Sequence, residues 1–412
     1  MRRAATVHAS SDAAPGVSMS DGSVSQTRGA GAAAYALLLG NFVTAVSVLA
    51  PAGMLKDLAD GFGVKVGEAG LLVTFGAIVM CFGSPLVAWA TSRIERRKLL
   101  VATIAVLAVG HVLSALAPSY GVLLAVRILM LSVASIFTPQ AASTIALIVS
   151  ERERAGAIAL VFVGWSLSIA FGLPLVTQLS AAFGWRFAHA ALAALAIICA
   201  LGLVASLPRG LFGPPVLFRS WGLVLRSRLL LLIFLATILS AVGQFLLLTY
   251  LGPLLSGLAG AGPRTIAAFF AGFGLMGLAG NIAATRTVQR LGVYQNGVLC
   301  FFAMFLGISL WSLGAGSLPV MALGVAIWGL GFASGNSMQQ GRLAATAPDL
   351  AAATIALNTS SIYVGQTLGS AIGGLMFEQG RLVAMGYVAA AFVALSLVAV
   401  AAGRPEPRGH RP

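Results

Sequence analysis

Charged clusters and Gly/Pro groups cut residues 33–402 into twelve mostly apolar stretches. Each is close to the length an α-helix needs to cross the hydrocarbon of a bilayer, about 20 residues. They fall at 33–55, 68–91, 98–117, 121–149, 155–180, 186–208, 228–251, 265–288, 293–313, 318–343, 351–377 and 381–402. No other feature restricts the chain so strongly. Lipid offers main-chain N–H and C=O groups no partner, so runs of this length become helices. A content of 59% hydrophobic and 9% charged residues, with a mean hydropathy of +0.97, excludes a soluble globular domain.

The formal charge of +14 is spread in short clusters between the apolar stretches, with no basic face carrying interleaved aromatics, which argues against nucleic acid as a partner. It reads instead as a record of topology. With both termini cytoplasmic, 19 of the 25 basic residues fall on the cytoplasmic side, 5 lie outside, and Arg127 sits within the fourth stretch. The expected organisation is a disordered cytoplasmic tail (1–32), a six-helix bundle (33–208), a cytoplasmic linker (209–227), a second six-helix bundle (228–402) and a short cytoplasmic tail (403–412). The halves echo each other at a spacing near 195 residues. Gly83 parallels Gly277, Gly172 parallels Gly369, and Phe183–Arg186 parallels Glu378–Arg381. Six helices per repeat keep both halves the same way up, so the predicted fold class is an all-α membrane protein with twelve transmembrane helices in two pseudo-symmetric six-helix bundles. In rocking transporters such a repeat places the binding site between the halves near the midplane.

The stretch Gly164–Arg186 carries Gly164, Gly172 and Pro174 inside an apolar run, where they are unfavourable for helix stability alone. Small residues let helices approach closely, and a proline opens the helix where neighbours can satisfy it, so the stretch reads as a packing seam that can bend. Ordinary membrane-helix packing is the alternative. Cys81, Cys199 and Cys300 lack metal-ligand or redox spacing and read as small buried hydrophobes, and no metal or other cofactor is expected.

Four runs carry a resemblance to a known family. Gly83-Ser-Pro-Leu through Arg93-Ile-Glu-Arg-Arg-Lys98, Arg127-Ile-Leu-Met-Leu-Ser-Val-Ala, Glu153–Arg186, and Tyr363-Val-Gly-Gln-Thr-Leu-Gly-Ser-Ala-Ile-Gly-Gly374 resemble signatures of the major facilitator superfamily. The resemblance narrows to its twelve-helix drug:proton antiporter branch, arabinose-efflux-permease-like proteins among them. Departures stand at Ala88, Ser92, Met130 and Leu131, and the first stretch has Asn41, Thr44 and Ser47 where a membrane-embedded acid often sits in proton-coupled members. The resemblance implies a secondary active transporter of the bacterial inner membrane, expected as a monomer, that exports small neutral or amphipathic organic compounds by alternating access with proton antiport. Multidrug resistance is an implied context. Uptake or facilitated exchange of a sugar-like or nucleoside-like metabolite is the alternative within transporters.

A charge at the depth of Arg127 costs at least about 2.5–3.5 kcal/mol on insertion scales. The resemblance implies that it sets the protonation of a nearby acid or contacts the substrate path; the alternative is a side chain snorkelling to the interface. None of the eleven acids falls in mid-helix, so Asp57 and Glu68, near helix ends, join Arg127 as the coupling candidates. Stretches 1, 4, 7 and 10 are expected to line the cavity, with 2, 5, 8 and 11 at the seam. Their polar or aromatic residues near mid-depth are Asn41, Phe137, Gln140, Trp165, Gln244, Tyr250, Asn281, Asn336, Asn358, Tyr363 and Gln366. A wall of amides and rings suits an uncharged solute better than a phosphate, though each residue also fits a plain interhelical hydrogen bond.

Arg93, Arg96, Arg97 and Lys98 anchor topology, and the resemblance adds a gating role in which they pair across the two halves. Gly277 and Gly369, with their neighbours Gly272, Gly274, Gly365 and Gly373, are expected to let the halves glide. The four histidines, His8, His111, His189 and His410, are far apart in the chain and suggest no metal site; a structural role is expected for His111 before a proton relay. A polytopic membrane enzyme is the reading from another class, but no nucleophile with a base at useful spacing occurs, and no phosphate-binding Gly-x-x-x-x-Gly-Lys loop supports an ATP-driven pump.

Overall fold

The computed structural model describes residues 21–404 apart from 92, 152, 213–221, 223 and 225. Residues 1–20, 405–412 and most of the expected linker thus lie outside the described residues. Ten helices among the described residues are long and apolar enough to cross a membrane. The longest, Pro263–Leu313, is two helices meeting at Gly292, where φ of 75° and ψ of 166° break the path. Ala351–Glu378 adds a further long helix, which brings the crossings to twelve.

In chain order they are α1 (Asp21–Gly53), α2 (Val66–Ala90), α3 (Arg96–Ala115), α4 (Tyr120–Ile148), α5 (Gly156–Phe183), α6 (Trp185–Ser206), α7 (Arg228–Leu248), α8 (263–291), α9 (293–313), α10 (Leu318–Thr346), α11 (Ala351–Glu378) and α12 (Leu382–Ala402). The first helix starts at Asp21, inside the stretch expected as a disordered tail, because no proline stands between Asp21 and the apolar run that begins near Ala30. The end of the bundle that carries residues 91–98, 150–154 and 403 is called the basic end below, and the opposite end the far end.

The two halves repeat in detail and in the same direction. A short helix, Leu55–Phe62, follows α1 and closes on Gly63 at φ 65°; its counterpart Leu251–Ala259 follows α7 and closes on Gly260 at φ 63°. The turn after α5 uses Gly184 at φ 85°, and the turn after α11 uses Gly380 at φ 68°. Both need the left-handed conformation that glycine alone adopts without steric cost. Helix contacts repeat too. A methyl group at Gly164 would lie 2.5 Å from the Leu38 carbonyl oxygen and 2.8 Å from the Phe42 nitrogen, and one at Gly365 would lie 2.5 Å from the Ile238 oxygen and 3.1 Å from the Val242 nitrogen. So α5 packs on α1 as α11 packs on α7, backbone against backbone, at the small-residue contacts that drive helix association in lipid.

These contacts correct the expected part of the glycines. Gly164 and Gly172 face α1 within their own bundle, and Gly365, Gly369 and Gly373 face α7 within theirs. Gly277 faces Gly329 of α10, 3.5 Å from its oxygen, and Gly272 has open space around it. The sequence shows that these positions are small but not which side of the helix they occupy. Closeness between the halves comes from Gly274, one of the glycines expected there, and from others not singled out. Gly67, Gly70 and Gly374 join α2 to α11 and to Tyr250, and Gly274 of α8 sits on the backbone of Ile169 and Ala170 in α5.

The α5 backbone there is a π turn, Ser168–Gly172, directly ahead of Pro174. Pro174 has no N–H for the Ala170 carbonyl, and a wider turn accommodates its ring. Gly164→Val and Gly365→Val are expected to lower stability by about 1–3 kcal/mol each by overpacking, whereas Gly272→Ala leaves the melting temperature of the purified protein in place. Equal melting of all three would break the account of the repeat as two close-packed helix pairs.

Candidate functional site

Polar side chains inside a bilayer must find partners, and α1, α4 and α5 supply them to one another. The Asn41 amide donates to the Val161 oxygen (2.9 Å) and accepts from the Thr138 hydroxyl (2.6 Å), which in turn takes the Trp165 indole N–H (3.1 Å). On the other side, Thr237 of α7 donates to Asn358 of α11 (2.9 Å), and Asn358 donates to Asn336 of α10 (3.2 Å). Gln339 and Arg342 of α10 extend this group: Gln339 donates to the Ile233 oxygen (3.1 Å), and Arg342 donates to Gln339 (2.8 Å). Trp328 donates to Gln244 at 3.3 Å, and Asn281 of α8 accepts from Ser337 of α10 at 3.0 Å.

Tyr363 and Gln366 differ from these. Both are buried, yet neither the Tyr363 hydroxyl nor the Gln366 amide makes a hydrogen bond to a described residue, and neither is among the sealed polar atoms. Their side-chain donors and acceptors are thus unpaired among the described residues.

Three residues expected on the cavity wall lie elsewhere. The Phe137 ring fills the place left by the missing side chain of Gly40, fully buried between α4 and α1. Tyr250 is a plug at the far end of the seam: its hydroxyl donates to the Ser370 oxygen (3.0 Å), it packs on Gly70, and its ring stacks on Phe377. Gln140 accepts from the Arg96 guanidinium, which ties a supposed wall residue to a supposed gate residue. For Phe137 depth along the helix was legible and direction was not; Tyr250 lies past the end of α7, so its depth was not legible either.

Arg127 is buried and held by three main-chain carbonyls, Leu72 of α2 (2.7 Å) and Ser47 and Val48 of α1 (3.0 and 2.5 Å). Pro51, one helical turn beyond Ser47, has no N–H to give the Ser47 carbonyl, so the guanidinium replaces the missing donor. The expectation of an acidic partner is thus corrected. Asp57 instead takes the Ser180 hydroxyl, and Glu68 is exposed, contributing to this region only a main-chain oxygen that accepts from Tyr120 at 2.5 Å. Nor does Arg127 snorkel, since all three of its nitrogens are spent inside the bundle.

At the basic end, the Arg96 main-chain N–H donates to the Leu211 oxygen (2.8 Å), and the Glu95 carboxylate accepts from the Gly210 N–H (2.8 Å) with Lys98 at 3.4 Å. The Gly210 N–H, with Lys98 and Arg97 beside it, holds the Glu95 carboxyl below the usual carboxylate range. Arg97 donates to the Val204 oxygen at the end of α6 (2.6 Å), and Arg93 is exposed. The expected pairing of this loop across the two halves is therefore replaced, in this structure, by contacts to its own bundle and to the first residues after it. Contacts between the halves lie farther from that end. The Thr74 and Ser370 hydroxyls are 2.8 Å apart, Ser360 donates to the Cys81 oxygen (3.1 Å), and Gln178 donates to the Pro263 oxygen (3.2 Å). The described residues contain no group of three or more His, Cys, Asp or Glu that could hold a metal.

Two same-way-up helical bundles, each with a hydrogen-bonded polar group in its interior, are the architecture of a membrane transporter. Residues 37–360 match the model of the Major Facilitator Superfamily, and the chain belongs to that family. It is 30% identical over 380 residues to the inner membrane transport protein YdhP of Escherichia coli (strain K12), covering 90% of this chain and 96% of that one. It is 26% identical over 373 residues to a probable sugar efflux transporter of Mannheimia succiniciproducens, covering 87% and 90%. Among solved structures it resembles a D-xylose–proton symporter in fold, with a TM-score of 0.73, 17% identity, and coverage of 92% of this chain and 98% of that chain.

Two predictions follow from the site's geometry. Pro51→Ala restores an N–H to the Ser47 carbonyl, so Arg127→Gln should destabilise the Pro51→Ala background less than the parent, with a coupling of about 0.5–3 kcal/mol in a double-mutant melting cycle. Because the Glu95 carboxyl is lowered in the folded chain, its hold on Gly210 is present above the ordinary carboxylate range and lost as pH falls through the lowered value. Glu95→Gln should accordingly speed amide exchange at Gly210 at neutral pH and leave it alike in acid.

Proposed function

We propose that the chain is a secondary exporter of small neutral or amphipathic organic compounds, sugar-like solutes among them, driven by proton antiport. The observation that carries the solute class is the pair Tyr363 and Gln366, buried but unpaired, on a wall whose other polar groups are amides, hydroxyls and indoles. Arg127 and Arg342 are engaged by neutral oxygens and Arg96 bonds Gln140, with only its Nε unpaired among the described residues, so an anionic solute would meet little free positive charge. Export agrees with the name of the Mannheimia relative, and a place in the inner membrane with that of the Escherichia coli relative.

The positions of the inter-bundle contacts fit a cycle in which the far end is shut and the basic end is the side of solute entry. Both termini then lie in the cytoplasm, by the distribution of basic residues. A single chain contains both halves of the site, so a monomer suffices.

The test uses inside-out vesicles containing the protein, with radiolabelled D-xylose as probe and an imposed pH gradient. Export appears as accumulation in these vesicles that a protonophore abolishes. Gln366→Leu removes about one neutral hydrogen bond, worth about 1 kcal/mol, and is expected to raise the half-saturation concentration roughly fivefold. Accumulation in right-side-out vesicles instead would establish uptake, and unaltered kinetics in both Gln366→Leu and Tyr363→Phe would remove these residues from the solute path.

A further inference from the structure

We propose that His111 and His189 together form the proton-binding site of this transporter, an inference that rests on the antiport reading and supplies its missing carrier. The chain has no acid in mid-membrane, and the Asp57 and Glu68 candidates lie at the far end, away from the polar wall. The two histidines, 78 residues apart in sequence, meet between α3 and α6. Their Nδ1 atoms are 3.0 Å apart, both rings are buried, and His111 Nε2 is 2.8 Å from the Ser47 hydroxyl of α1.

One arrangement of protons satisfies all of these contacts together. Ser47 donates its single hydroxyl proton to the Val43 oxygen (2.7 Å), so His111 Nε2–H donates to Ser47. The His111 Nδ1 is then an acceptor and takes the proton of His189 Nδ1–H. The pair is neutral, and His189 Nε2 is the one ring nitrogen left without a proton. One proton from water binds there by forming an N–H bond, and the resulting charge spreads over the Nδ1–H···Nδ1 bridge. Deprotonation of the same atom returns the pair to its starting state.

What makes this a coupling site is its link to α1. Ser47 is held twice, through its hydroxyl by His111 and through its carbonyl by Arg127. A proton on the pair places a second positive charge beside Arg127 in a region of low dielectric, and the two repel. Relief comes when Arg127 leaves the carbonyls at the Pro51 bend, which frees α1 to change its packing between the bundles.

The short helix Leu55–Phe62, which sets Gly61 and Phe62 against Trp185, brings Lys56, Asp57 and Asp60 to this end of the bundle, with Asp57 taking the Ser180 hydroxyl. α5 contains no titratable residue, α1 contains Asp21, Arg28 and Tyr35, of which Tyr35, exposed and roughly three turns away, is the nearest along the helix, and α4 contributes Arg127 and Tyr120, the latter bonded to the Glu68 main chain. On α6, the Trp185 ring stands edge-on to His189 (6.2 Å between centroids), and Arg186 lies over that same ring.

Trp185 supplies the readout, because an adjacent imidazolium quenches indole fluorescence. Purified protein in lipid nanodiscs is titrated between about pH 5 and 9. The expected result is one quenching step in the parent, lost in Trp185→Phe and in His189→Gln, and lost or displaced by at least about tenfold in proton concentration in His111→Gln. In proteoliposomes with radiolabelled D-xylose, one proton exchanged per solute lets a gradient of about one pH unit sustain about tenfold accumulation. Both histidine variants should accumulate the sugar to about 1-fold while exchange at equal pH remains measurable, and Cys199→Ser, on the same helix, serves as the control.

A parent without a step, a step that persists in both histidine variants, or parental accumulation by those variants overturns the proposal. The parent titration decides proton binding even where a buried substitution prevents folding. Should the parent move no D-xylose under either condition, the solute reading fails, while the fluorescence step still decides the proton site on its own.

Discussion

A main-chain carbonyl without a donor is intolerable in lipid, and the answer to one such carbonyl organises the first bundle. Pro51 withdraws the N–H that Ser47 needs, and Arg127 comes from α4 to supply it, taking Val48 and Leu72 as well. Three helices are pinned at one point by a single side chain. The charge pays for its burial with three hydrogen bonds, the condition under which such groups survive in an apolar interior. In the second bundle the corresponding depth is occupied by Trp328 bonded to Gln244, so the halves share a path but not a charge.

Around that point the packing is set by absence of side chains. Gly164 and Gly365 bring helix backbones together within each bundle, and Gly274 seats α8 on α5 between the bundles. The first kind of contact makes each bundle a rigid body. The second kind, with α2 against α11 and α8 against α5, is joined by hydroxyl contacts such as Thr74 with Ser370, which can part without stranding a charge.

Much of this was legible in the sequence for plain physical reasons. Length and hydropathy force helices, and a repeat of turns and glycines at near-constant spacing forces two like bundles. The site was legible by depth at best. Phe137 has the right height and points the wrong way, because a helical position within an unknown packing carries no compass, and Tyr250 stands past the end of α7, at the far end. Arg127 announced a need for a partner, and an acid was the natural thought; Pro51 already stood four residues beyond Ser47 and marked the neutral alternative. Thr138 and Gln339, members of the polar wall, are too ordinary in type to draw notice. The meeting of His111 with His189 needed the approach of α3 to α6, which no local pattern encodes.

The π turn at Ser168–Gly172 gives α5 one residue more than a regular helix would use over the same rise. Beyond it, Thr177 donates to the Gly53 oxygen at 2.8 Å, where α1 has run out of its own donors, and Ser180 meets Asp57. Each residue advances a helix by about 100°. A chain shortened by a single residue in this turn would straighten α5 and swing Thr177 and Ser180 about a quarter of the way round the axis, away from both. The widened turn is thus a spacer in rotation: it sets the phase between the two ends of the helix, so that one end can be read against α8 and the other against the tip of α1.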